Sequence, residues 1–213
     1  MDITTILSTS TLSLKIFRQN FLKTYIPILK GTEDNFIRRS YFGGHTDYYQ
    51  EYAENLHYYD INSLYPFAMC KPMPHKLIKY HNDLGNITLN NFFGYCLAEI
   101  TTTPKNTLKT LLPYKHGGST IFPTGTWIGV YFSEELLALQ AYGYKVNLIN
   151  GYEYSQVYLF NEYVDHFYNK KKNSTRATRF IAKMHLNQFM VYLVENKMLL
   201  KLLIFINMNY LNT

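Results

Sequence analysis

The chain has 213 residues, 47% of them hydrophobic and 17% aromatic, with a formal net charge of +6. That length suffices for one domain with its own core, and the apolar content excludes a disordered chain. The positive excess suits phosphate-bearing partners without requiring one.

The first 30 residues are rich in Ser and Thr and carry Lys15, Arg18, Lys23 and Lys30 against Asp2, a composition shared with mitochondrial transit peptides. Leu56 to Ile61 reads as a buried strand that carries a carboxylate, Asp60, at its tip. A short helix is predicted over Leu64 to Cys70, stopped by Pro72 and Pro74. Phe93 to Thr101 and Thr126 to Phe132 alternate as strands do. Pro104 to Ser119 is the expected flexible loop. Ser133 is the predicted N-cap of a helix, with Glu134 and Glu135 in its first turn and Gly143 past its end. Lys145 to Ile149 and Tyr152 to Ser155 flank Asn150-Gly151, a two-residue hairpin signal. Helices are expected over Val157 to Lys171 and Thr175 to about Leu203. Residues 189–206 are apolar but hold Glu195, Lys197 and Lys201, so no membrane span is expected. Cys70 and Cys96 form neither a metal spacing nor a disulfide framework, which points to a reducing compartment. The seven histidines show no zinc spacing.

Chemistry concentrates in HYYDINSLYPFAM, residues 57–69. Asp60 closes an aromatic run, a tight polar pair follows, and then come backbone amides and the Tyr65 ring. A lone carboxylate beside free amides is a layout that can hold a divalent metal and a nucleoside triphosphate together. Further on, Arg179, Lys183 and Asn187 stand at i, i+4 and i+8, on one face of the expected helix. Such a row of cations suits a triphosphate, and equally a solvated surface. Lys170-Lys171-Lys172 fits either a phosphate track or a solvated helix end. Many of the 21 tyrosines fit half-buried strand faces, although tyrosine also stacks on bases.

Residues 60–66 match D-x-x-S-L-Y-P, and this resembles the first palm motif of family B DNA polymerases. Tyr41-Phe42-Gly43-Gly44 resembles the Y-x-G-G template motif of that family. Residues 179–187 resemble the opening of its fingers motif, K-x-x-x-N-S-x-Y-G. The span between, with FPTGTWIGVYFSEELLALQAYGY, LINGYEY and LFNEYVDHFYNKKK, is similar to the protein-primed branch, above all to polymerases of mitochondrial linear plasmids. LSLKIFRQNFL resembles the segment after their exonuclease domain, a reading preferred here to a transit peptide. The likeness runs from roughly Ser13 to Asn187.

The resemblance implies an α+β fold: part of the palm, an antiparallel sheet plus helices, with the terminal-protein insertion and the start of the fingers. It divides the chain into a linker over residues 1–40, the palm start over 41–91, the insertion over 92–160, the fingers start over 161–190 and a divergent tail over 191–213. Asp60 would be the catalytic residue and ligand of Mg²⁺, joined by the Ile61 carbonyl. Ser63, Leu64, Tyr65, Arg179, Lys183 and Asn187 would bind the incoming nucleotide. Tyr41, Gly43 and Gly44 would contact the DNA template. Partners would be the DNA template, deoxynucleoside triphosphates and a terminal-protein primer, with no membrane partner, and the location mitochondrial.

The sequence departs from the family pattern in two places. After Asn187 the expected S-x-Y-G is replaced by Gln188-Phe189-Met190-Val191, which a one-base deletion near codon 187 would explain. No D-T-D or other D-x-D occurs anywhere, so the second palm carboxylate is missing. The expectation is a truncated polymerase, inactive alone. Its alternatives are a non-catalytic remnant that binds single-stranded DNA or terminal protein, and a pseudogene product.

Overall fold

The computed structural model describes Ile6 and residues 8–43, 51–103 and 110–195. Helices α1 (Thr9–Asn20) and α2 (Gly31–Arg38) precede the motif, which leads into α3 (Leu64–Met69). Strand β1 (Met73–His81) follows, then a short 3₁₀ turn at Leu89–Asn91 and strand β2 (Gly94–Thr101). A small hairpin, β3 (Tyr114–His116) and β4 (Ser119–Ile121), stands apart from the main sheet. Then come β5 (Thr126–Phe132), α4 (Ser133–Ala141), β6 (Lys145–Val157), α5 (Asn161–Lys172) and α6 (Arg176–Glu195).

The four-stranded sheet runs in the order β1-β6-β2-β5, with every pair antiparallel. Helices cover both faces. On one side Phe17 of α1, Phe160, Tyr163 of α5 and Phe189 of α6 form an aromatic cluster, with Phe17 at 4.9 Å from Phe189 and 5.2 Å from Phe160. On the other, Leu136 and Leu139 of α4 pack with Trp127, Tyr131 and Ile100. Each buried large side chain of this kind contributes about 1.5–3 kcal/mol, and ring pairs add about 0.5–1.5 kcal/mol. Mixed α+β architecture with an antiparallel sheet is what the sequence led us to expect.

Several local expectations fail, each for a physical reason. Asn150-Gly151 is no hairpin: β6 runs through it unbroken for 13 residues. The pairing slips between Leu148 and Asn150, leaving Ile149 as a bulge, and the Ile149 carbonyl accepts from Leu84 N at 2.9 Å. Gly151 serves close approach instead of a turn. A Cβ there would lie 2.5 Å from the Tyr95 carbonyl, and one on Gly94 would lie 2.0 Å from the Tyr152 carbonyl. Residues 56–61 do not form a strand. They are exposed, Tyr58 by 92%, because no described strand lies alongside to pair with them or cover them. Helix α3 does end before Pro72 and Pro74, as expected, but strand β1, which begins at Met73, was not foreseen; Pro74 is tolerated there because β1 is an edge strand. Ser133 is the first helical residue, not the cap; its hydroxyl instead accepts from Gly94 N at 3.1 Å. Of the expected loop, residues 114–119 belong to the β3–β4 hairpin, which turns at Gly117 and Gly118, both at positive φ. Helix α5 starts at Asn161, later than expected, and α6 is described only to Glu195.

Candidate functional site

A cleft of about 690 Å³ opens between the turn at residues 59–66 and the α5–α6 pair. Sequence order dictates the first wall. Ser63 sits in the left-handed region, φ 57° and ψ 39°, an unusual place for a residue with a side chain. This kink turns the chain from the exposed segment straight into α3. Buried Leu64 and Pro66 anchor the helix, and Pro66 costs nothing in a first turn whose N–H groups have no intrahelical acceptor. The amides of Leu64 and Tyr65 belong to that same turn. Asp60 and the Tyr65 ring are exposed at the cleft, the ring by 40%.

The second wall follows from the two-sided pattern of α6. Ala182, Leu186 and Phe189 are buried in the aromatic core. Arg179, Lys183 and Asn187 are therefore displayed on the opposite side, exposed and lining the cleft. Buried hydrogen bonds set the rotation of this helix: His185 Nδ1 lies 2.8 Å from Ser13 Oγ of α1, and Tyr163 Oη donates to the His185 carbonyl at 3.0 Å. Burial first, and then the Lys170 ammonium, hold the His185 pKa below its ordinary value, so the ring is neutral at pH 7.

One charged cleft residue was not assigned to the site from the sequence. Lys171 of α5 reaches across and donates from Nζ to Ser63 Oγ at 2.9 Å. The basic run 170–172 was visible, but the break at residues 173–175 hid which of its members shares a side with Arg179. Three cations, Lys171, Arg179 and Lys183, thus face one carboxylate, Asp60. The structure brings together all the expected metal and nucleotide residues, Asp60, Ile61, Ser63, Leu64, Tyr65, Arg179, Lys183 and Asn187, in this one cleft.

The expected template residues lie elsewhere. Tyr41 is half-buried and Gly43 exposed, and neither lines the cleft; Gly44 lies outside the described residues. Between them Phe42 is buried, stacked on Tyr131 at 6.1 Å and 13°, with the Lys115 ammonium 5.5 Å from its ring. Among the described residues no group of three or more His, Cys, Asp or Glu could hold a metal, and no helix is long and apolar enough to cross a membrane.

Residues 1–189 match the profile of the family described as DNA polymerase type B, organellar and viral. The chain belongs to that family. Two relatives illustrate the match. A "Probable DNA polymerase" of Podospora anserina is 36% identical over 193 residues, covering 89% of this chain and 16% of the relative. One of Neurospora intermedia is 38% identical over 192 residues, covering 83% of this chain and 20% of the relative. This chain therefore spans a fifth or less of the length of these two relatives. Among solved structures, Phi29 DNA polymerase complexed with primer-template DNA and incoming nucleotide substrates superposes with a TM-score of 0.63 at 19% identity. That match covers 88% of this chain and 36% of the other. The form complexed with single-stranded DNA gives 0.64 at 20% identity, over 90% and 36%. These likenesses establish the type B polymerase fold for this segment.

Proposed function

We propose that this chain is the nucleotide-binding segment of a protein-primed family B DNA polymerase, an enzyme that transfers deoxynucleotides to a growing strand under the direction of a template. The observation that carries the reading is the cleft itself. A carboxylate and a helix-opening pair of amides face three cations across a space large enough for a nucleoside triphosphate. Lys171, Arg179 and Lys183 would neutralise the triphosphate as charge-assisted donors. The amides of Leu64 and Tyr65 would hold its oxygens, with Ser63 fixing their direction. Asn187 would line the base side. Tyr65 would press on the sugar, where a 2′-hydroxyl would collide with the ring.

Magnesium is the ion this chemistry calls for, and the residues fit it in part. Magnesium is commonly held by one or two carboxylates, with phosphate oxygens and waters completing the shell. Asp60 is exposed and supplies one carboxylate, with the Ile61 carbonyl as a further oxygen ligand. When bound, such ions activate the attacking hydroxyl and neutralise the leaving phosphates. The described cleft residues supply no second carboxylate, so the segment would bind a magnesium–triphosphate complex without turning it over. Tyr41 and Gly43 would contact the template, residues 92–160 the terminal protein that primes synthesis, and the setting would be a mitochondrial genetic element, in keeping with the organellar members of the family.

Equilibrium binding of a fluorescent deoxynucleoside triphosphate in magnesium buffer tests this reading. The chain is expected to bind it, Asp60→Asn to weaken binding in magnesium, and Lys183→Ala to weaken it with or without magnesium. Primer extension by the chain alone is expected to be nil. Equal binding by wild type and both variants would remove the cleft as the nucleotide site.

A further inference from the structure

Behind α6, on the side away from Arg179 and Lys183, lies a second pocket of about 300 Å³. Its floor is made by Phe167, Ala182 and His185, all buried; His166, Lys170, Thr178 and Ile181 form an exposed rim. Protons can be assigned here from donors and acceptors alone. The Thr9 carbonyl can only accept, so the single proton of Ser13 Oγ, 2.8 Å away, goes to it. At 2.8 Å from that hydroxyl, His185 Nδ1 must then be the donor. In the neutral ring this leaves Nε2 as a lone-pair acceptor, and no described residue bonds to it.

The pocket thus combines three features. Its wall is aromatic, with Phe167 4.7 Å from the His185 ring at 34° and 5.0 Å from His166 at 84°. His185, which carries the acceptor, lines the floor. The rim carries the Lys170 ammonium, and no carboxylate is among the lining residues. We propose that this pocket binds a small aromatic acid, its ring against Phe167 and Ala182, its carboxylate on Lys170 and a hydroxyl donating to His185 Nε2. The volume lies at the lower end for ligand pockets, which suits a single substituted ring. This site is separate from the nucleotide cleft and does not depend on the polymerase reading.

The test is a titration of the full chain with para-hydroxybenzoate, followed by nuclear magnetic resonance. Saturable binding with shifts at Ala182 and His185 is expected. The methyl ester, which lacks the charge, should bind severalfold more weakly. Lys170→Gln, an exposed change that leaves the floor intact, should reduce the acid to the affinity of the ester. Ala182→Leu, which places a side chain in the pocket, should abolish binding with the circular dichroism unchanged; if that variant does not fold, the Lys170→Gln comparison decides. No saturable binding, or equal affinity for acid and ester, overturns the proposal. So do shifts confined to Arg179 and Lys183, which would place the acid in the front cleft.

Discussion

Lys171 Nζ donates to Ser63 Oγ at 2.9 Å, joining the end of α5 to the left-handed turn that opens α3. The bond crosses the cleft, and on the proposed reading the ammonium would lie beside the bound triphosphate. Lys171→Ala should weaken triphosphate binding roughly tenfold, as loss of one charge-assisted donor predicts. Ser63→Ala should cost much less, because it frees the ammonium without removing it. Equal losses in a binding titration of the two variants would show that the bond, not the charge, matters.

Tyr65 is the only aromatic side chain placed by α3 at the cleft. If its ring meets the sugar, Tyr65→Ala should narrow the preference for a deoxynucleotide over the matching ribonucleotide, with little change in deoxynucleotide affinity. Competition between dATP and ATP for the chain measures this directly. An unchanged preference would detach Tyr65 from sugar selection.

Phe17 is fully buried and touches Phe160, Tyr163 and Phe189. Phe17→Ala should destabilise the chain by about 3–5 kcal/mol, the usual loss for a buried phenylalanine, read from urea unfolding. A loss below about 1 kcal/mol would mean that α1 is only loosely attached to the core.

Glu135 is fully enclosed in α4, and its Oε2 has no partner among the described residues. Burial pushes its pKa from 4.5 up to about 8. The folded chain therefore keeps this proton where the unfolded chain has lost it. The contribution to stability is complete below pH 4.5 and is lost as pH rises to about 8, at roughly 1.4 kcal/mol per pH unit. Glu135→Gln should flatten that part of the stability profile and leave the variant more stable than wild type above pH 8. Parallel slopes for the two proteins would show that Glu135 does not govern it.

The cleft was more legible in the sequence than the sheet. The spacing of Arg179, Lys183 and Asn187 survives into the fold because a helix converts i, i+4 and i+8 into one side whatever its surroundings. The D-x-x-S-L-Y-P run likewise carries its own turn and helix start. Strands β2 and β5 could be read because they alternate. Strand β6 could not, because Asn150-Gly151 is the same dipeptide whether it turns a hairpin or lets two backbones pass closely; only the neighbouring strand decides. Residues 56–61 look like a buried strand by composition, yet burial is a property of partners, and none of the described strands serves. Lys171 lay hidden because its place depends on how α5 and α6 fold back on each other.

Helix α6 is held by one continuous aromatic core and by the Ser13–His185 bond, while its cleft side carries the exposed Arg179, Lys183 and Asn187 beside buried Leu186. The same core takes in Tyr95, Phe132 and Tyr154 of the sheet, so this helix cannot swing without unpacking the domain. Tyr65, Lys171 and Arg179 are exposed or partly exposed at the cleft, so their rotamers can change in picoseconds to nanoseconds without disturbing that core.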